Sequence, residues 1–160
     1  ICGILFASAG PAFSTLIGST VITTTVNDMV RHLHLARSEA IKRRMKVTLC
    51  PSTDEVTCQD TNEWHQGFIL FSNANGNKVI DGDDQLLQSY KANSSRVEIY
   101  STSGRKKTTY RPDGSARGSN VTLAVCDPAG ELPPRYIVVS GTGRPRTSDS
   151  KPRGSPIRCG

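Results

Sequence analysis

The sequence predicts an α+β fold in which one long helix precedes an antiparallel β-sheet. Three observations predict it. From Ile22 to Ala40 apolar residues recur at helical spacing, beyond Lys46 the pattern changes to short β-branched and aromatic runs, and turn dipeptides separate those runs.

The chain opens with a stem that carries no charge up to Asn27. Ile1 to Ile17 approaches the roughly 20 apolar residues that cross a hydrocarbon layer. Gly3, Gly10 and Pro11 weaken a soluble helix, but in a bilayer neighbouring helices can satisfy the carbonyl that Pro11 leaves free. The stem is therefore expected to be the trailing part of a membrane span or filament core. A secretory signal peptide is the alternative; it requires an unrelated mature domain after the cleavage site, whereas here the helical pattern continues. Residues 1–23 are assigned to this stem. Residues 24–160 form a globular head, including a basic tail at 141–160, and the head is expected to fold without the stem.

Ile22, Val26, Met29, Leu33, Ala36 and Ala40 lie four, three, four, three and four residues apart, with Val30 and Ile41 widening the stripe. Asn27, Arg31, His34, Ser38 and Lys42 fall on the opposite side and should face water. Lys42, Arg43, Arg44 and Lys46 are placed in the last turn, where cations offset the negative end of the helix dipole by about 0.3 to 1 kcal/mol each. Strands are expected at Val47 to Cys50, Gly67 to Phe71, Arg96 to Tyr100, Val121 to Val125 and Arg135 to Val139. Asn75-Gly76, Asp81-Gly82, Ser103-Gly104, Pro112-Asp113-Gly114 and Asp127-Pro128 separate them. A head of this length buries a core as one domain.

Charge is uneven. Up to Gly104 nine cations face ten acids, and from Arg105 onward eleven cations face four acids, so the net +6 resides in the C-terminal third. Such asymmetry points to a polyanionic partner: nucleic acid, anionic lipid or acidic glycan. Beyond Ser140 almost nothing apolar is available to bury, so the tail is expected to be irregular, presenting Arg144, Arg146, Lys151, Arg153 and Arg158 to solvent. Arginine suits phosphate because its planar fork binds bidentately.

Of the five cysteines, Cys50 and Cys58 bracket a turn-rich loop and could close it, while Cys126 ends a strand and Cys159 is penultimate. Spacing permits three pairings of these four; bridges Cys50 to Cys58 and Cys126 to Cys159 are predicted, the second tying the tail to the sheet. Cys2 is left in the stem as a buried thiol. An oxidising compartment is implied.

Catalytic patterns are absent: there is no H-E-x-x-H, G-x-S-x-G or G-x-x-x-x-G-K-[ST]. No cofactor is expected. His32 and His34 point to different helix faces and no C-x-x-C is present, which argues against zinc. Asn73 to Asp84 has the outline of a calcium loop, but Lys78 occupies its glycine position and Asp84 is too short for the bidentate glutamate. Trp64 and His65 read as a packing pair.

Leu35-Ala36-Arg37-Ser38-Glu39-Ala40-Ile41-Lys42-Arg43, followed at once by Val47-Thr48-Leu49-Cys50, then Trp64-x-x-Gly67-Phe68-Ile69-Leu70-Phe71 and the Asn73 to Leu87 acidic loop, resemble the GspH/FimT family of type II secretion and type IV pilus pseudopilins. The resemblance implies a pilin-like fold and a filament subunit with other pilins as partners. It also implies a single-pass inner-membrane stage with the head in the periplasm, before assembly into an extracellular pilus. Family members begin, after leader cleavage, with Phe-Thr-Leu-x-Glu; this chain opens at Ile1 without it, so roughly a dozen residues and a leader are expected upstream. Gly143-Arg144-Pro145-Arg146 resembles the G-R-x-R motif of the FimT branch, linked to DNA capture in natural transformation. The resemblance thus implies a minor pilin that binds DNA without sequence preference through Gly143, Arg144, Arg146, Lys151, Arg153 and Arg158, with Arg105, Lys106 and Lys107 extending the track. The alternative is a structural GspH-like subunit of a secretion pseudopilus.

Overall fold

The computed structural model describes residues 9–91 and 96–159. The expectations for Cys2 and for the first part of the stem lie outside the described residues. Helix α1 (Ala9–Arg43, 35 residues) is followed by β1 (Val47–Pro51), β2 (Gly67–Ser72), β3 (Leu86–Lys91), β4 (Glu98–Ser101), β5 (Thr108–Tyr110), β6 (Val121–Cys126), β7 (Arg135–Val139) and β8 (Pro145–Ser148). Among the described residues no helix is long and apolar enough to cross a membrane.

The six stripe residues of α1 are all buried, and Asn27, Arg31, His34, Ser38 and Lys42 are exposed, as their spacing requires. Ile41 departs from expectation. It is 48% exposed, while Ala40 beside it stays fully buried, so the buried stripe at that turn is narrower than the apolar one. The helix ends at Arg43, with Arg44 in a left-handed conformation (φ 55°), so Lys46 belongs to the connection and not to the last turn. Truncating a buried stripe residue such as Leu33 to alanine should cost about 2 to 5 kcal/mol.

Two four-stranded antiparallel sheets cover the stripe: β3-β2-β1-β5 and β4-β6-β7-β8. Their inner faces and α1 share a single core that includes Val47, Leu49, Phe68, Leu70, Leu123 and Ile137, with Trp64 and Tyr110 fully enclosed. Each predicted strand is present. Three more were not predicted, β3, β5 and β8, and each lies at a sheet edge, where main-chain pairing with a neighbour replaces a strong apolar pattern.

On the outer face of the first sheet, Cys50, Ile69 and Phe71 are covered by Cys58 and Ile80. The Cys50–Cys58 bridge closes that cover, and Cys126–Cys159 closes the C-terminal segment onto β6, both as predicted. His65 packs edge-on against Tyr100 beside the enclosed Trp64, and His32 packs against Phe68 and Tyr90.

Candidate nucleic-acid interface

The C-terminal segment is more ordered than its composition implies. Pro145 to Ser148 pair with β7, with Val139 opposite Pro145, Val138 opposite Arg146 and Ile137 opposite Thr147. This corrects the expectation of an irregular tail at residues 145–148, while the rest of 141–159 is turn or irregular chain as expected. The open edge of β7 supplies hydrogen bonds that local sequence did not reveal, and proline is tolerated as the first residue of an edge strand. Arg135 Nε, 2.6 Å from Asp149 Oδ1, fastens the far end of the pair. The chain then returns along the sheet's outer face, where Ile157 is buried with Ala124, Cys126 and Tyr136.

Alternation decides where Arg146 points. Ile137 and Val139 face the α1 core, so Pro145 and Thr147 share that side. Arg146 shares the opposite, outer side with Val138, and Arg144 immediately precedes the strand. Both are exposed, and among the described residues neither side chain is held in an ion pair. Lys151, Arg153 and Arg158 are exposed as well.

Gly143 has a defined place in the packing. It is buried at φ +79°, and an added Cβ would lie 2.0 Å from the Gly114 carbonyl oxygen. Its amide donates to Ser140 O at 2.9 Å, and Gly141 O accepts the Ala116 amide at 3.1 Å. The glycine therefore seats the β7–β8 turn on the 111–118 loop, which carries Arg111 and Arg117. Close backbone approach serves the fold here.

Arg105, Lys106 and Lys107 are brought to the same end but have partners within the protein. Arg105 Nη1 donates to Gly118 O at 2.9 Å and Lys107 Nζ to Lys78 O at 3.2 Å. Lys106 pairs with Asp60 at 2.9 Å, and its hydrogen bond and charge hold the Asp60 carboxyl below the usual carboxylate range.

Three shallow clefts follow one another around this end. The first, about 280 Å³, is lined by Asp60, Lys78, Arg105, Lys106, Lys107 and Ser119 among others. The second, about 230 Å³, shares Lys78 and Ser119 and adds Lys46, Arg111 and Arg117. The third, about 210 Å³, shares Arg105 and adds Arg153 and the 152–156 turn. Eight cations line this series against one carboxylate, Asp60. Sequence reasoning missed four of them: Lys46 had been assigned to the helix end, Lys78 was weighed only as a misfit in a calcium loop, and Arg111 and Arg117 were only counted in the charge balance. Among the described residues no His, Cys, Asp and Glu group could hold a metal ion.

Residues 25–143 match the family described as Type II transport protein GspH. The chain belongs to the GspH family. The match ends one residue before Arg144. In three dimensions this GspH-family chain is similar to the type IV minor pilin FimU of Pseudomonas aeruginosa (TM-score 0.63, 16% identity, 87% of this chain and 97% of that one covered). A second crystal form of FimU gives TM-score 0.61 at 17% identity over 84% and 99% of the two chains. The minor pseudopilin EpsH of the Vibrio cholerae Type 2 Secretion System gives 0.55 at 11% identity over 79% and 95%. At these identities the likeness establishes the pilin-like fold. No curated protein matches the chain in sequence.

Proposed function

We propose that this GspH-family protein is a minor pilin whose head holds DNA for uptake during natural transformation, without sequence preference and without making or breaking a bond. One observation carries the reading. Arg146 stands on the outer face of an edge strand and Arg144 lies just before that strand, both exposed and without an ion-pair partner among the described residues, on a segment fastened to the fold. Two guanidinium groups displayed in this way suit phosphodiester oxygens, and release of condensed counterions supplies most of the affinity. Lys151, Arg153 and Arg158 extend the positive face along the returning chain. The uncharged stem would pack with other pilins in the envelope filament, after an inner-membrane stage.

Pre-organisation supports the reading. Because β8 is paired and Cys159 is tethered, little ordering entropy opposes binding. A mobility shift with DNA of arbitrary sequence tests it. If about four phosphates are neutralised, log affinity should fall against log salt with a slope of roughly −3 to −4. Changing Arg144 and Arg146 together to glutamine should flatten that slope by up to about two units and remove most binding. A double variant that binds like the parent sinks the proposal, and the structural secretion-pseudopilin reading, which the family match and the likeness to EpsH favour, takes its place.

A further inference from the structure

From the second cleft we infer a further binding site, separate from the β8 edge: a pre-formed seat for consecutive phosphate groups of a polyanionic chain, centred on Lys78. This deepens the DNA reading and rests on it only for the source of the phosphates.

Four cations converge there from segments far apart in the chain. Lys46 comes from the connection after α1, Lys78 from the 73–84 loop, and Arg111 and Arg117 from either end of the 111–118 loop; no carboxylate lines the cleft. The nearest acid of the same loop, Asp113, is held below its usual range by hydrogen bonding from Ser115 first and then by Arg117 and Arg111. In the neighbouring loop Asp81 accepts the Asn75 and Asn77 amides, and Asp84 accepts the Ala74 and Asp81 backbone amides. None of the four cations is therefore neutralised by a salt bridge among the described residues.

The backbone is shaped around the cations. Lys78 adopts φ +65°, a conformation that lysine rarely takes, and its carbonyl is held by Lys107 Nζ. That conformation sets its side chain in the wall shared by the first and second clefts. Gly76, at φ +80°, leaves room for Lys46: an added Cβ would lie 2.4 Å from the Lys46 ammonium nitrogen. The shared floor is Ser119, which is 5% exposed. Its hydroxyl oxygen accepts the Thr109 amide at 2.8 Å, which leaves its own proton for an anion. Cationic groups on both sides of a buried hydroxyl donor suit phosphate oxygens. Because Lys78 and Ser119 belong to two adjoining clefts, the arrangement accommodates one phosphate on each side of Lys78 rather than an isolated ion.

The test titrates the full chain in detergent micelles by calorimetry with inorganic tripolyphosphate, with inorganic phosphate and with a short oligothymidylate. Tripolyphosphate should bind, at least tenfold more tightly than phosphate. Lys78→Gln should weaken tripolyphosphate binding by about tenfold, the scale of one lost hydrogen bond to a charged group. Lys46→Gln and Gly76→Ala should each weaken it too, and thermal unfolding of all three variants should show that the fold persists. The Arg144→Gln, Arg146→Gln double variant should bind tripolyphosphate as the parent does. Displacement of tripolyphosphate by oligothymidylate identifies nucleic acid as the source; its absence, with tripolyphosphate still bound, keeps the seat and removes DNA as its occupant. Failure of tripolyphosphate to bind, or unchanged binding in both Lys78→Gln and Lys46→Gln, overturns the inference.

Discussion

Two segments of this protein are closed by disulfides, and they are held in opposite ways. The Cys50–Cys58 loop spans 8 positions and is satisfied from within. Asp54 Oδ1 accepts the Ser52 hydroxyl and the Val56 and Thr57 amides at 2.8 to 2.9 Å, Oδ2 accepts the Thr57 hydroxyl at 2.5 Å, and the Gln59 amide reaches Pro51 O at 2.8 Å. The segment closed by Cys126–Cys159 spans 33 positions, carries β7, β8 and the exposed Arg144, Arg146, Lys151, Arg153 and Arg158, and has Ile157 as its buried apolar anchor past β8. A short loop can form its own hydrogen-bond network. A long cationic strap must borrow order from the sheet it crosses, so in the second segment the bridge would bear on the proposed binding as well as on stability.

The largest effect should come from opening the long strap. On chain-entropy grounds a loop of 33 residues gains about 3.7 kcal/mol from closure, against about 2.5 kcal/mol for a loop of 8. Cys126→Ser with Cys159→Ser should therefore lower unfolding stability by about 3.7 kcal/mol in denaturant titration and weaken DNA binding at fixed salt. Equal DNA affinity before and after would show that the strap is ordered without its tether.

Removing the short bridge, Cys50→Ser with Cys58→Ser, should cost about 2.5 kcal/mol at most. DNA affinity should stay at the parent value, because none of the proposed contacts lies in that loop. A parallel loss of binding would abolish the distinction between the two segments.

Gly143→Ala acts on the strap from its other end. The new Cβ meets the Gly114 carbonyl at a left-handed backbone, so about 2 kcal/mol of stability should be lost, and amide exchange should rise in β8 before it rises in β6. Uniform exchange across the second sheet would contradict a role confined to the β7–β8 turn.

The smallest effect concerns pH. The Asp54 carboxyl is held below its ordinary range by hydrogen bonds from Thr57, Val56 and Ser52. Its folded value is depressed, so its contribution is present in full above the unfolded carboxylate range near pH 4 and is lost as pH falls through the lower folded value. Carbon-detected titration of Asp54 should show an ionised carboxylate at pH 3, and Asp54→Asn should remove that part of the acid response. A midpoint near the ordinary value would mean that the short loop is not internally satisfied.

Much of the fold was legible because its causes are local. The four-three spacing from Ile22 to Ala40 can bury one face only as a helix, and the runs starting at Val47, Gly67, Arg96, Val121 and Arg135 are apolar enough to read as strands. Cysteine positions at a strand end and the penultimate residue narrowed the bridges. The charge balance located the C-terminal third as the positive face, and the four-residue motif singled out Arg144 and Arg146 within it.

Tertiary structure decided the rest, for reasons that no local window contains. Leu86 to Lys91, Thr108 to Tyr110 and Pro145 to Ser148 are strands because β2, β1 and β7 offer unpaired main-chain edges beside them. The outward direction of Arg146 follows from register with Val138, and Gly143 packs against the Gly114 carbonyl. Lys46, Lys78, Arg111 and Arg117 become one site only because three loops meet at one end of the two sheets. Helical periodicity and strand composition act over a few residues and can be read directly; edge pairing and the convergence of charges act between segments tens of residues apart, and only the packed chain brings them together.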